Sequence, residues 1–305
     1  MKVLIFGSNG LVGSSLTRTL KEEFELILSN RDDTDLFSFQ QTNQKILDSN
    51  PDYIINAAAK VGGILANNTN RTQFIFENLK INMNILESIV DKPEIKVINL
   101  GSSCIYPLNA DNPIKETSLL TGKLEPTNSP YAMAKLASIE MGDAISKEFG
   151  NKVINLMPTN LFGPNDNFST ESGHVIPSLI NKFFSGKKNQ SSQINVWGSG
   201  KPLREFLYVD DLADAIKFII ENSIDDSILN IGSGEEITIK NLALKIKEIT
   251  EYEGELIFDS NYPDGNPRKL LDSSKINNLG WHHKTDIELG LKLTCNWYKK
   301  HILNN

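Results

Sequence analysis

Lys2-Val3-Leu4-Ile5-Phe6-Gly7-Ser8-Asn9-Gly10-Leu11-Val12-Gly13 stands at the head of the chain and decides its fold class. Residues 2–6 are a nearly all-apolar run, the pattern of a parallel strand buried on both faces. An amphipathic run to Leu20 follows, so the glycines lie between a strand and a helix. In that place Gly7 permits a tight turn, Gly10 lets the backbone approach a pyrophosphate, and Gly13 lets helix and strand pack closely. The helix N-terminus adds N–H donors and a favourable dipole. An isolated glycine motif is equally an ordinary turn; its setting after the first strand favours a dinucleotide site.

Outward from this unit the chain alternates strand and helix. Glu25-Leu26-Ile27-Leu28 predicts the second strand, which ends in Ser29-Asn30-Arg31. An acid at this strand end would hold a ribose 2′-hydroxyl, whereas an arginine accommodates a 2′-phosphate. Arg31 therefore predicts NADP, with NAD possible if Asp32 or Asp35 takes the ribose. Residues 53–59 predict the third strand, with small residues such as Ala58 where a cofactor would lie against the backbone. Residues 60–63 and 67–69 read as loop beside cofactor or substrate, and 72–90 as a helix on the sheet. The fifth strand is 153–156, running out into 157–164. This rhythm predicts an α/β fold built on a doubly wound parallel Rossmann sheet. After Pro164 the rhythm breaks, and a smaller, interleaved C-terminal substrate domain is expected. The expected division is 1–163 with 206–232 for the dinucleotide, and 164–205 with 233–305 for the substrate.

The fourth strand carries the first chemistry. Val97, Ile98 and Leu100 run out into Gly101-Ser102-Ser103-Cys104, at the strand end where open α/β sheets bind ligands. Ser129-Pro130-Tyr131-Ala132-Met133-Ala134-Lys135 begins a helix, with Ser129 as its cap and Pro130 in the first turn. Tyr131 and Lys135 then share one helix face. An ammonium beside a phenol lowers its pKa from the ordinary ~10. Such a pair suits a proton donor to a carbonyl oxygen, and Ser102 can bond to the same oxygen.

Composition sets the outer bounds. The 305 residues are 39% hydrophobic and 23% charged, as in soluble globular proteins, with a net charge of −7. That charge argues against a general nucleic-acid or membrane-surface binder. Cys104, Cys295 and the four histidines form no metal-ligand spacing, so no metal is expected. The chain shows no basic start followed by an apolar run and cleavage site, and no stretch near ~18 apolar residues. A cytoplasmic protein is expected.

Together these pieces resemble the extended short-chain dehydrogenase/reductase family over the whole chain. The glycine turn, Ser102, and Tyr131 with Lys135 match its pattern. Residues 57–64, 101–107, 124–128, 157–161, 174–177, 196–200, 204–206, 263–265 and 268–269 are similar to members that act on GDP-4-keto-6-deoxy-D-mannose. The resemblance implies an NADPH-dependent oxidoreductase with epimerase activity, which inverts C3 and C5 and reduces C4 to give GDP-L-fucose. Sugar 4-epimerases usually lack the cysteine after the serine pair, and the Thr-Asp-Glu run of the dehydratases is absent near Ser102. One departure is Ser8-Asn9, where that subfamily often carries a base, so the NADP expectation rests mainly on Arg31.

The implied roles follow from the chemistry of a 4-ketone, which acidifies the protons on C3 and C5. The resemblance implies Cys104 as base and His174 as acid, and positive charge near Cys104 would lower its thiol from ~8.5. Ser102 polarises the ketone, Tyr131 protonates the alkoxide, and Lys135 anchors the ribose. Implied cofactor contacts are Gly7, Asn9, Gly10, Leu11, Val12, Gly13, Arg31, Ala58, Lys135, Pro158, Asn160, Leu161 and His174. Arg204 leads the candidates for the substrate pyrophosphate, with Lys182, Arg268 and Lys269 behind it. Asn160 and Trp197 are expected to meet sugar and guanine. A homodimer is expected through the sheet-flanking helices at 74–86 and 131–145. Two other readings stay open: an NAD-dependent sugar-nucleotide 4-epimerase or reductase of another nucleotide sugar, and a catalytically idle cofactor-binding scaffold.

Overall fold

A computed structural model describes residues 1–262 and 264–304; Pro263, quoted above within 263–265, lies outside the described residues. The first part of the chain runs β1 (Lys2–Phe6), α1 (Leu11–Leu20), β2 (Glu25–Ser29), α2 (Phe39–Ser49), β3 (Tyr53–Asn56), α3 (Ile64–Thr69), α4 (Arg71–Glu87), β4 (Lys96–Leu100), α5 (Ser129–Phe149), β5 (Val153–Pro158) and β6 (Asn160–Phe162). It continues through α6 (Val175–Lys188), β7 (Gln193–Trp197), β8 (Leu203–Tyr208), α7 (Val209–Glu221), β9 (Ile228–Ile231), β10 (Glu236–Thr238), α8 (Ile239–Thr250), β11 (Glu255–Asp259), β12 (Arg268–Lys269), α9 (Ser274–Asn278) and α10 (Ile287–Tyr298).

The apolar runs pair into one six-stranded parallel sheet of order β2-β1-β3-β4-β5-β9. Period-two alternation divides each strand between two cores. Val3, Ile5, Ile55 and Ile98 pack with Leu16 of α1 and Leu212 and Ile216 of α7. Leu4, Phe6, Ile54 and Val97 pack on the other side with Ile46 of α2 and Ile81 and Ile85 of α4. Burial on both faces is why these strands read as continuous hydrophobic runs. The expected doubly wound sheet is therefore present, and the chain order reverses between β1 and β3, where such sheets open a ligand crevice.

A row of buried amides crosses this sheet. Asn56, Asn99 and Asn155 stand in register on β3, β4 and β5. Asn56 Nδ2 donates to Asn99 Oδ1 at 3.3 Å, and Asn99 Nδ2 to Asn155 Oδ1 at 3.0 Å. A one-residue slip of any strand would bury these polar groups unpaired, which costs about 1–3 kcal/mol for each.

The smaller unit is built on β8, which lies between antiparallel β10 and parallel β12 and also pairs with β6. Its core joins Phe162, Ile180, Phe183, Leu242, Ile246 and Leu291. The chain then returns to the large sheet, where Asp210 of α7 accepts from Ser15 at 2.5 Å and Arg18 at 2.6 Å on α1. This return makes the units interleaved. The expected boundary at 206 falls inside β8, which pairs with β6, β10 and β12.

Local expectations are corrected at two places. Residues 67–69, expected as loop, belong to helix α3, where Asn67 Nδ2 donates to both the Gly62 and Gly63 carbonyls and ties the helix to the chain before it. Asn128 holds the N-cap position of α5 without a capping bond from its side chain, and Ser129 lies inside the helix. The Glu125 carboxylate accepts from the Thr127 and Asn128 amides and so places the helix start. Among the described residues no helix is long and apolar enough to cross a membrane, and no cluster of His, Cys, Asp or Glu could hold a metal ion.

Candidate active site

The dinucleotide mouth is shaped by contacts that admit only glycine. Gly7 adopts φ +80°, and a Cβ there would lie 2.8 Å from the Ala58 amide nitrogen. A Cβ on Gly13 would lie 2.2 Å from the Gly7 carbonyl oxygen, so helix and strand touch backbone to backbone. Gly10 is the N-cap of α1 and offers no side chain to cap it. The first N–H groups of α1, at Leu11, Val12 and Gly13, have no intrahelical acceptor and face an anion-binding position. The residues present thus fit a pyrophosphate. Arg31 lies exposed just beyond β2. Asp33 is taken by the Asn30 amide at 2.5 Å and Lys45 at 2.8 Å. The other expected contacts lie along the crevice: exposed Asn9 in the turn, half-buried Ala58 after β3, Pro158 ending β5, and Leu161 on β6. Asn160 is committed to the fold, since its Nδ2 donates to the Glu205 carbonyl at 2.7 Å.

At the end of β4, Ser102 starts a single turn over residues 103–105, and its Oγ accepts from the Cys104 amide at 3.2 Å. Tyr131 reaches this turn from α5, its hydroxyl hydrogen-bonded to that of Ser102. Phe74 of α4 meets the Tyr131 ring edge-to-face at 6.3 Å. Lys135 is 2% exposed and donates to the Leu100 carbonyl at 2.6 Å, with its ammonium 5.9 Å from the Tyr131 ring centre. The expected lowering of the Tyr131 pKa is not what the site does. Burial pushes the phenol well above its ordinary range, the neighbouring Cys104 charge adds to this, and the Ser102 bond offsets only part. Burial also pushes Lys135 down to about 8. The Lys135 ammonium donates to a backbone carbonyl, and burial decides the state of the phenol.

Cys104 behaves in the opposite sense. Burial works against its thiolate, but the Lys269 charge and hydrogen bonds from Ser102 and Lys269 outweigh this and hold the thiol below its ordinary value. Lys269 Nζ lies 3.3 Å from Cys104 Sγ. His174 is the N-cap of α6, placed by the Gly63 amide donating to the Ser172 carbonyl at 3.0 Å. Beside it the Asp166 carboxyl, pushed up by burial and pulled down by His174, has a buried Oδ2 without a hydrogen-bond partner.

The expected substrate ligands separate into groups. Half-buried Arg204 donates to the Leu203 carbonyl at 2.9 Å and the Asp264 carbonyl at 3.3 Å, and feels the Cys104 charge. Lys269, expected at the phosphates, lies on Cys104. Arg268 is turned away, in a bidentate pair with Glu236 at 2.7–3.0 Å. Trp197 stacks on Tyr262 at 4.5 Å, and the Lys182 ammonium lies over the same ring at 5.0 Å. Trp197 is nevertheless 38% exposed. Three residues had no role assigned from the sequence. Glu205, fully buried, accepts from the Gly234 amide at 2.8 Å and the Leu271 amide at 3.0 Å. Asp264 accepts from Ser199 N and Oγ, each at 2.7 Å. Asp166 is the third. A charged residue inside the apolar run of β8 was the available signal for Glu205.

A glycine-lined dinucleotide crevice with serine, tyrosine and lysine at the adjoining strand end defines a nucleotide-dependent carbonyl oxidoreductase or epimerase. The chain belongs to the NAD dependent epimerase/dehydratase family, whose model matches residues 3–232. It is 46% identical over 305 residues to GDP-L-fucose synthase 1 of Arabidopsis thaliana, covering 99% of this chain and 94% of that one. It is 41% identical over 308 residues to GDP-L-fucose synthase of Escherichia coli strain K12, covering 97% and 96%. Among solved structures it matches a GDP-L-fucose synthetase from Naegleria fowleri bound to NADP, with a TM-score of 0.88, 29% identity, and coverage of 98% and 94%.

Proposed function

We propose that the chain converts GDP-4-keto-6-deoxy-D-mannose to GDP-L-fucose, inverting C3 and C5 and then reducing C4. One observation carries this reading: a cationic lysine 3.3 Å from the Cys104 thiol, on the turn that also presents Ser102 to Tyr131. A base for carbon acids and a donor for the ketone oxygen thus occupy one place.

The C4 ketone would sit between Ser102 and Tyr131, whose hydroxyls stabilise negative charge on its oxygen. Cys104 then takes the proton from the adjacent carbon as a thiolate, and the electron pair moves onto the ketone oxygen. His174 returns a proton to the opposite face of that carbon, inverting it. For the last step NADPH, when bound, supplies the hydride to C4. Tyr131, held protonated by its burial, gives its proton to the C4 oxygen. The N–H groups of Leu11, Val12 and Gly13 would hold the pyrophosphate and Arg31 the 2′-phosphate. Lys135 would meet the nicotinamide ribose, with Asn9, Ala58, Pro158, Asn160, Leu161 and His174 lining the crevice. Arg204 would take the substrate pyrophosphate, with Lys182 and Trp197 at the guanine end. The cofactor would lie on residues 1–163 and 206–232, and the sugar nucleotide against 164–205 and 233–305. The protein would be cytoplasmic. It would pair through α4 and α5, which expose Phe76, Met83 and Met133.

The purified protein, NADPH and GDP-4-keto-6-deoxy-D-mannose in deuterium oxide provide the test. Oxidised cofactor should appear in equal amount to a fucosyl product carrying deuterium at C3 and C5. Turnover without net cofactor oxidation, or product without deuterium at those carbons, would overturn the reading.

A further inference from the structure

We infer that Lys269 makes the Cys104 thiol into a base, serving as an ionising partner to the sulfur and not as a ligand for the substrate's phosphates. The inference rests on the epimerase reading above. Its geometry begins with alternation along β12, which sends Arg268 outward to Glu236 and Lys269 inward to Cys104. β12 pairs with β8, and Lys269 stands in register with Arg204. The residues that follow are tied on both sides. Leu270 N donates to Asn112 Oδ1 at 2.7 Å, the Ile114 amide donates to the Leu270 carbonyl at 2.8 Å, and Leu271 N donates to the Glu205 carboxylate at 3.0 Å. Lys269 therefore reaches the sulfur from a segment anchored in the fold's interior.

The charged and titratable groups that act on Cys104 come from several elements. Lys269 from β12 and Arg204 from β8 bring positive charge, Glu125 from the loop before α5 opposes them, and Tyr131 from α5 stays neutral. Ser102 on the same turn donates a hydrogen bond to the sulfur. A lysine already satisfied by a thiolate is poorly placed to turn toward a phosphate, whereas Arg204 has guanidinium nitrogens facing the Asp264 loop. When Cys104 removes a substrate proton, the C–H bond breaks, the S–H bond forms, and the pair of cations loses its anion. Lys269 thus favours the sulfur before transfer, and the resting site stays charged.

The experiment measures alkylation of the whole cofactor-free protein by iodoacetamide as a function of pH. Cys295 is 1% exposed with its thiol pushed up to about 12, so it stays silent, and Cys104→Ser supplies the blank. Wild type should show a midpoint below the ~8.5 of a free cysteine. Lys269→Met should raise that midpoint by at least one unit and slow alkylation at pH 7 about tenfold, and Lys269→Arg should keep it low. With substrate, Lys269→Met should slow deuterium entry at C3 and C5 at neutral pH, recover as pH rises, and leave KM unchanged. Equal midpoints in wild type and Lys269→Met overturn the assignment, as does a raised KM with an unchanged pH profile. A wild-type midpoint at or above ~8.5 overturns it even if neither variant folds. The thiol titration needs no substrate, so it can succeed or fail separately from the proposed reaction.

Discussion

Lys135 donates to the carbonyl oxygen of Leu100 at 2.6 Å, two residues before Ser102, which starts the turn that carries Cys104. The lysine therefore braces the strand end beneath the reacting groups, while the Tyr131 phenol above it keeps its proton. A tyrosine in that state gives a proton to an alkoxide and does not take one from carbon. The division of labour between Tyr131 and Cys104 follows from their opposite shifts, up for the phenol and down for the thiol.

Removing that phenol tests the donor role. Tyr131→Phe should reduce NADPH oxidation by about 10²–10⁴-fold, the range for a positioned general acid. Cofactor affinity, measured by fluorescence titration, should stay near that of wild type. Turnover within a few-fold of wild type would remove Tyr131 from the reduction.

The buried lysine has a cost that pH reveals. Its folded pKa of about 8 lies below the ordinary 10.5, so between those values the unfolded chain binds more protons than the folded one. Stability from this group is lowest below pH 8 and rises as pH climbs through the window. Lys135→Met should thus melt above wild type at pH 7, and the gain should fade toward pH 10.5. Activity should be lost at both. A Met variant that melts below wild type at neutral pH would contradict the burial argument.

Cys104→Ser and His174→Gln should each fail to load solvent deuterium fully into C3 and C5 of the 4-keto substrate. Both should still reduce a substrate supplied already inverted. Nuclear magnetic resonance of the product reads the two positions separately. Complete exchange in both variants would dismiss the acid–base pair.

Two neighbouring arginines should behave differently. Arg204 is half-buried beside the Asp264 loop, and Arg204→Ala should raise KM for the nucleotide sugar at least tenfold, as expected for loss of a charge-assisted bond worth about 1.5–3 kcal/mol. Arg268 faces solvent with Glu236, and Arg268→Ala should leave KM within about twofold, since exposed ion pairs contribute roughly 0–1 kcal/mol. Equal effects would place Arg268 in the site after all.

Gly13→Ala should be unexpectedly costly for so small a change. The added methyl would meet the Gly7 carbonyl at 2.2 Å, and overpacking of this kind costs about 1–3 kcal/mol. NADPH affinity should fall with stability, because relief requires α1 to move off β1. A variant with unaltered melting and cofactor binding would refute that contact.

The sheet and its crevice were legible because each signal is local: an apolar run, a glycine turn, a helix start. Tyr131 with Lys135, and Ser102 with Cys104, were legible for the same reason. What escaped depends on pairing between distant segments. β12 is two residues long and exists through β8, so nothing in Arg268-Lys269 itself says which side chain turns inward. The sequence neighbour of Tyr131 suggested a lowered pKa, yet burial and a cysteine from another element decide it. Residues 67–69 of helix α3 escaped because their composition is loop-like, while the Asn67 amide bonds to two carbonyls of the chain before the helix.

The amide row across β3, β4 and β5 bears on how this enzyme can change. Its bonds run in one direction and end where Asn155 Nδ2 donates to the Ser227 carbonyl at 3.2 Å, just before β9. Each linked strand leads directly into a working part: β3 into Ala57-Ala58, β4 into Gly101-Ser102, β5 into Pro158-Thr159. The relative heights of those parts are gauged by side chains underneath them. Loops above the sheet can therefore lengthen, shorten or drift to accept a different sugar without detuning the spacing between cofactor wall and reacting turn.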